Sequence, residues 1–231
     1  MSELISVVVC VKNGEAFLGQ ALASIQAQTH RPLEVLVVDG GSTDGSRQIA
    51  EQSSLCRWMP QHGDTLPDAY NTGIHQARGE WIAFLSHDDL YRPDKLADQL
   101  AALRARPDCL FATGKVRFFL EGSQTPAGFR PKLLVGEHPG KIMETLLAHR
   151  SAFERVGLLD PAYPNAHDVD WFARAGDLGV EGVMLDAVVV DKRVHSDNTS
   201  MVEHNRLLAT VLKRSLDRKR QRTEPTSGGP P

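Results

Sequence analysis

Cysteine is scarce in this sequence. Cys10, Cys56 and Cys109 are three among 231 residues, and no CxxC pair occurs. That spacing argues against a disulfide framework or a cysteine-ligated zinc site and fits a reduced, cytoplasmic compartment. Excess positive charge is missing as well. The formal net charge is −3, so no global basic field points to nucleic acid. No apolar run approaches the roughly 20 residues of a membrane helix. The opening MSELISVVVCV has neither the basic region nor the small-residue cleavage site of a signal peptide. Two nucleotide fingerprints are also absent. The turn after the first apolar run reads Val11-Lys12-Asn13-Gly14 rather than GxGxxG, and there is no GxxxxGK[ST], which disfavours NAD enzymes and P-loop NTPases.

What is present reads as an α/β protein. Apolar residues make up 41% of the chain, enough for a real core, and the length suits one large domain or two small ones. Ile5 to Val11 and Leu33 to Val38 are β-branched runs that predict buried strands. Between them Phe17, Leu18, Ala21, Leu22 and Ile25 recur at helical spacing, with Asn13 placed to cap that helix. A helix from about Asp44 to Gln52, a strand near Cys56 to Met59 and a helix from Asp68 to Gln76 follow. The strand Trp81 to Ser86 and a helix from Pro93 to Arg104 complete a β-α-β-α alternation, which implies a parallel sheet with right-handed crossovers. After Pro107 the pattern turns irregular. Cys109 to Leu120 predicts extended strand and Glu121 to Pro139 a mobile loop. Short helices are expected at Ile142–Leu147 and Ser151–Val156, a longer one at Val169–Leu178, a strand at Val183–Val194 and an amphipathic helix at Val202–Arg214. The predicted organisation is one domain over 1–214, with a donor half to about 105 and an acceptor half over 106–214. The tail 215–231 is expected to be disordered, basic first and then Gly/Pro/Ser-rich. The basic cluster of Lys213, Arg214, Arg218, Lys219, Arg220 and Arg222 is either a solvated helix end or a membrane-surface or partner contact.

The most informative stretch is Trp81-Ile82-Ala83-Phe84-Leu85-Ser86-His87-Asp88-Asp89-Leu90. A buried strand ends there in two adjacent carboxylates, and open α/β sheets bind ligands at the carboxyl ends of their strands. Adjacent carboxylates repel unless a cation or a strong donor sits beside them. A hard divalent cation that shares oxygen ligands with phosphates would satisfy them; a solvated turn before the next helix is the plainer alternative. Asp39, at the end of the second strand and before Gly40-Gly41, is placed to accept from ribose hydroxyls or a base N–H, or else to cap its own turn. Asp68 and Asn71 lie one helical turn apart and either line a cleft or serve the helix start.

Taken in order, SVVVCVKNGEAFL, LEVLVVDGGSTDGS, GDTLPDAYNTGIHQARGEWIAFLSHDDLYRPDKL, HDVDWFARA and RVHSDNTS resemble the motifs of the family 2 glycosyltransferases of bacterial type, over about residues 4–200. The resemblance implies the GT-A fold, a single domain whose mostly parallel nucleotide-binding sheet is flanked by helices and followed by a more irregular acceptor-binding half. It implies sugar transfer from a nucleotide diphosphate donor with inversion at the anomeric carbon. Carried onto this chain, Asp168 matches the catalytic base. Val11, Asn13, Asp39, Asp68, Asn71, Asp88 and Arg193 match or flank the donor site. Asp88, Asp89 and His195 match the region that holds a divalent cation, Mn2+ or Mg2+. Asp168 and Asp170 cannot share one helix face, so Asp170 is expected to be structural and to pair with Arg174. Trp171 reads as core rather than acceptor-pocket wall.

Two departures stand out. The family commonly has Asp-Asp-Gly where this chain has Asp39-Gly40-Gly41. Its metal motif often starts with Asp, where Ser86 and His87 stand here, and a serine cannot supply that charge. The resemblance leaves the acceptor open among glycans, lipid-linked sugars, peptides and small molecules. With no membrane span, the acceptor is expected to be soluble or presented by a partner. The competing readings are a donor-binding module without catalysis and a sugar nucleotidyltransferase, the latter poorly served by the single lysine and glycine of VKNGEAF.

Overall fold

The computed structural model describes residues 3–196, 209–211 and 213–218. Seven elements carry the first half: β1 (Ile5–Val11), α1 (Leu18–Gln26), β2 (Leu33–Asp39), α2 (Ser46–Glu51), β3 (Cys56–Pro60), α3 (Leu66–Gln76) and β4 (Trp81–Ser86). β1 pairs in parallel with both β2 and β4, and β2 with β3. The chain winds outward through β2 and β3, then returns to place β4 on the other side of β1. Because strand side chains alternate, the odd residues of β1 face one side and the even residues the other. Val7 and Val9 pack with Leu18 and Leu22 of α1. Val8 and Cys10 pack with Ala69, Tyr70 and Ile74 of α3. Helices therefore cover both faces, as a buried parallel sheet requires.

α3 approaches the sheet closely because Gly73 allows it: a Cβ at that position would lie 2.2 Å from Val8 Cγ1. Its start is fixed by a capping box. Thr65 Oγ1 accepts from Asp68 N–H, and Asp68 Oδ2 accepts from Thr65 N–H at 2.9 Å. This tight seating brings Tyr70 to the carboxyl end of β1.

The second half is β5 (Leu90–Tyr91), α4 (Lys95–Ala105), β6 (Phe111–Leu120), β7 (His138–Gly140), β8 (Leu147–His149), α5 (Arg150–Val156), α6 (His167–Asp177) and β9 (Gly182–Val194), with short 3-10 turns at Pro131–Leu134 and Met143–Thr145. The sheet runs β3-β2-β1-β4-β8-β6-β9-β5, with β7 on β6. β8 is antiparallel to β4 and β6, β7 to β6 and β5 to β9, while β9 runs parallel to β6. Parallel pairing thus dominates only the first half.

Several sequence expectations shift. The helix expected at Ile142–Leu147 is a 3-10 turn followed by strand β8, because Leu147 and Ala148 pair with both β4 and β6. α4 begins at Lys95, two residues after Pro93. Asn13 does not cap α1; it adopts a φ of 52°, and its Oδ1 accepts from Thr43 N–H at 2.8 Å, tying the turns after β1 and β2 together. The boundary expected at 214/215 is crossed by a helical segment over 213–218. Ser215 Oγ and Arg218 Nε each donate to Asp177 at 2.8 Å, so residues 215–218 are docked on α6 rather than part of a loose tail. Val211 is buried against Tyr163 and Ala166. The rest of the expected helix at Val202–Arg214 (residues 202–208 and 212), the DNTS end of the RVHSDNTS motif and the tail 219–231 lie outside the described residues. Among those described, no helix is long and apolar enough to cross a membrane.

Candidate active site

A cavity of about 650 Å3 opens at the carboxyl ends of β1 and β4, a volume suited to a small-molecule ligand. This is where the strand order reverses, the usual ligand position in open α/β sheets. Val11, Lys12 and Asn13 form one wall and Ser86, His87 and Asp88 the next. Tyr70 reaches in from α3. Glu144 of the 3-10 turn, Asp168 of α6 and the pair Lys192 and His195 close the far side.

The acidic groups are bound to one another through basic partners. Asp88 Oδ2 and His195 Nε2 share a hydrogen bond of 3.0 Å. Burial works against ionisation of Asp88, but the Lys192 and His87 charges and the His195 hydrogen bond hold its carboxyl below the usual value. Glu144 is likewise held below its ordinary value, with burial opposed by Lys192 and by the Ser86 hydroxyl. Ser86 Oγ donates to Glu144 Oε1 at 2.7 Å, and Lys192 Nζ donates to the same oxygen at 3.1 Å.

Asp89 departs from the expected ligand role. It is fully buried, its Oδ1 accepts from Arg193 N–H at 2.9 Å and its Oδ2 from Lys192 Nζ at 2.7 Å. Burial lifts its pKa to about 7 against the pull of Lys192, with Asp88 and Glu144 adding to the rise. It sits behind the cavity wall and braces β9 against the β4 end, with no face turned to a ligand.

Asp168 lies on the cavity wall at the start of α6. Burial raises its pKa, opposed by His167 and by the Val169 N–H that donates to Oδ1 at 2.7 Å, while Glu144 adds to the rise. Its neighbour Asp170 faces away and pairs with Arg174 Nε at 2.8 Å. Arg174 also donates to the Val156 and Leu158 carbonyls, so this pair anchors α6 to α5, as the i,i+4 spacing implied. Trp171 is core: fully buried, with Nε1 donating to Gly157 O at 3.0 Å.

Four expected donor residues do not line the cavity. Asp39 Oδ1 accepts from Ser42 N–H at 2.9 Å and Ser42 Oγ at 2.6 Å, closing its own turn. Asp68 closes the α3 cap. Asn71 exchanges hydrogen bonds with the Leu159 backbone at 2.8 and 3.0 Å. Arg193 is buried between the Phe17 and Phe119 rings, with its Cζ 4.5 and 4.8 Å from their centroids. It donates to Asp88 O, Gln20 Oε1 and the Glu121 carboxylate. His195 packs on the same Phe17 ring at 4.9 Å, so the alternation that put 193 and 195 on one face holds, but only His195 reaches the cavity.

A family model described as Glycosyl transferase family 2 matches residues 6–156. The chain belongs to this family. An uncharacterized glycosyltransferase of Rickettsia typhi is 30% identical over 224 residues, covering 89% of this chain and 69% of that protein. A Rickettsia conorii relative is 27% identical over 215 residues and 85% of this chain; the chain spans 35% of its length. Among solved structures, S. aureus TarS 1-349 in complex with UDP-GlcNAc superposes with a TM-score of 0.71 at 18% identity, covering 94% of this chain and 66% of that one. Glucosyl-3-phosphoglycerate synthase from Mycobacterium tuberculosis, in complex with Mn2+, UDP and phosphoglyceric acid, gives 0.66 at 20% identity, covering 98% and 81%. The fold of this family member is therefore GT-A.

Sequence reasoning missed Glu144 and Lys192. Glu144 arrives from a turn 58 residues beyond Ser86, and nothing near it in sequence marks it. Lys192 stands beside the Arg-x-His pattern, on the opposite face of the strand to Arg193. The Thr65-Leu66-Pro67-Asp68 cap was also readable as an [ST]-x-x-[DE] signal.

Proposed function

We propose that this chain transfers a sugar from a nucleoside diphosphate donor to a nucleophilic acceptor, with inversion at the anomeric carbon. The observation that carries the reading is that one cavity at the sheet's switch point holds both the Asp88–His195 pair and Asp168, a carboxyl whose pKa is raised toward the range of a general base. The turn residues Val11 and Asn13 contact the donor, with the diphosphate toward Asp88. The acceptor oxygen forms a bond to the anomeric carbon as the carbon–oxygen bond to the diphosphate breaks. The leaving nucleoside diphosphate keeps that electron pair, and the acceptor proton passes to Asp168. One base suffices for this single displacement; a retaining route would need a second carboxylate as nucleophile.

Among the described residues no group of three or more His, Cys, Asp or Glu is arranged to hold a metal ion. Asp88 and His195 nonetheless fit a divalent cation that takes its remaining ligands from diphosphate oxygens and water, as Mg2+-type sites commonly do. These two residues would hold it, and positive charge beside the leaving diphosphate is the chemistry it supplies when bound. The Mycobacterium tuberculosis neighbour carries Mn2+ and UDP in its complex, which makes that pair the first to test.

Thermal-shift measurements with UDP, GDP, CDP and dTDP, each with Mn2+, Mg2+ or EDTA, test the reading. The expected result is a stabilisation by one nucleotide that is larger with metal, since a ligand that binds only the native state raises stability. Asp88→Ala should remove the metal-dependent part. No shift with any nucleotide, or an Asp88→Ala variant that keeps the full metal response, overturns it.

A further inference from the structure

The Lys192 ammonium sits where the cavity's carboxylates converge. Nζ lies 2.7 Å from Asp89 Oδ2 and 3.1 Å from Glu144 Oε1. Burial lowers its pKa, but the charges of Asp89, Glu144 and Asp88 more than offset this and keep it protonated. The pair is oriented. The Asp89 side chain is 0% exposed and that of Lys192 16%, so the acid points inward and the ammonium toward the cavity, whose wall it forms. An ammonium carries three N–H donors. Among the described residues two are directed at Asp89 and Glu144, which leaves one for whatever fills the cavity.

The surrounding charges give that donor a task. A diphosphate entering beside Asp88 and Glu144 meets like charge. The strand end carries Ser86 where its family commonly places an acid, and Lys192 adds a fixed positive charge to the same spot. Glu144 brings a carboxylate to that serine, and Lys192 offsets part of the negative charge that a divalent cation would otherwise have to meet. Lysine is well suited here because it binds phosphate as a compact point charge.

We propose that Lys192 is a built-in cation of the donor site, its third N–H meeting the diphosphate of the nucleotide sugar, so that nucleotide binding persists when no divalent cation is present. The proposal rests on the cavity being the donor site. It assigns Lys192 a share of the charge that the leaving diphosphate acquires, alongside any metal held by Asp88 and His195.

The decisive measurement is calorimetric titration of UDP, GDP, CDP and dTDP into the wild-type protein in EDTA and in Mn2+. The expected result is weak but measurable binding in EDTA, strengthened by Mn2+ and weakened by added salt. Lys192→Met leaves Asp89 and Glu144 without their counter-ion and can fail to fold, so Lys192→Met is also combined with Glu144→Gln to restore the charge balance. The double variant should bind about 10- to 100-fold more weakly in EDTA, the range for losing one charge-assisted hydrogen bond, while Mn2+ still strengthens binding. Lys192→Arg should keep most of the EDTA affinity. Wild-type binding that needs Mn2+ absolutely, or a double variant with wild-type affinity in EDTA, overturns the role of Lys192 and leaves the donor-site reading standing. No binding of any nucleotide under either condition overturns both.

Discussion

Ser86 Oγ stands 2.7 Å from Glu144 Oε1, so the 3-10 turn supplies a carboxylate to the strand end at which the sequence itself places a serine. This contact explains the serine. An acid at position 86 would face Glu144 at hydrogen-bond distance in a buried setting, and two carboxylates so close cannot both ionise cheaply. Ser86→Asp should therefore destabilise the protein, whereas Ser86→Ala loses one hydrogen bond and costs roughly 1–3 kcal/mol. Urea unfolding checks both. An Asp variant as stable as wild type would show that Lys192 can serve a further carboxylate.

Asp168→Asn should lower kcat by about 10²–10⁴-fold, the usual worth of a positioned base, while the thermal shift on nucleotide binding stays as in wild type. The base works deprotonated, so activity should rise with pH through the Asp168 pKa. Because burial raises that pKa, the acid limb should lie above the ordinary aspartate value of about 3.9. A pH–rate profile of wild type and variant checks this. An Asn variant that keeps both the rate and the acid limb would move the base elsewhere.

Arg193 was legible in the sequence as a donor-site residue but stands in the structure as a brace. Its guanidinium reaches Asp88 O, Gln20 and Glu121 at once and stacks on two rings. Lysine cannot reproduce that planar fork. Arg193→Lys should cost roughly 1.5–3 kcal/mol for each charge-assisted bond lost, less for the one to the half-exposed Glu121, which water screens. Nucleotide affinity, measured well below the melting temperature, should fall far less than stability does. The reverse pattern would return Arg193 to the donor site.

These contrasts show which parts of the site local sequence can carry. The parallel strands β1, β2 and β4 are apolar runs bounded by turn residues, and the Asp88–Asp89 pair follows β4 after one residue, so this cavity wall was readable. The i,i+4 pair of Asp170 and Arg174 was readable for the same reason, since helical spacing decides it. Glu144 and Lys192 were not. They meet Ser86 and Asp89 only because β8, β6 and β9 extend the sheet beyond β4, a long-range pairing that no window of sequence encodes. The helix expected over Ile142–Leu147 runs into the start of β8 because so short an apolar run carries too little periodicity to tell a turn and strand from a helix. Pairing with two strands decided it. Asp39 and Asp68 show the converse: carboxylates at a strand end and a helix start, expected at a ligand, have oxygens engaged by local N–H groups.

Lys95 gives a prediction independent of the site. It is buried to 1% exposure, with Nζ donating to Gln99 Oε1 at 2.8 Å and lying 4.4 Å from the centre of the Tyr91 ring. Burial pushes its pKa well below the ordinary lysine value. An unfolded lysine keeps its proton to about pH 10.4, whereas the folded one releases it earlier. Between those two values the unfolded state binds more protons, so stability rises with pH across the window. Below the folded value both states are protonated, and the contribution is constant. Lys95→Met removes the titration and keeps the volume. Urea unfolding at several pH values should show wild type gaining on the variant as pH climbs through the window between the folded and unfolded values, by roughly 1.4 kcal/mol for each pH unit of that window. A difference between the two proteins that stays flat with pH would mean that Lys95 holds its proton equally in both states, and that the aromatic face of Tyr91 and the Gln99 oxygen suffice to keep a buried ammonium charged.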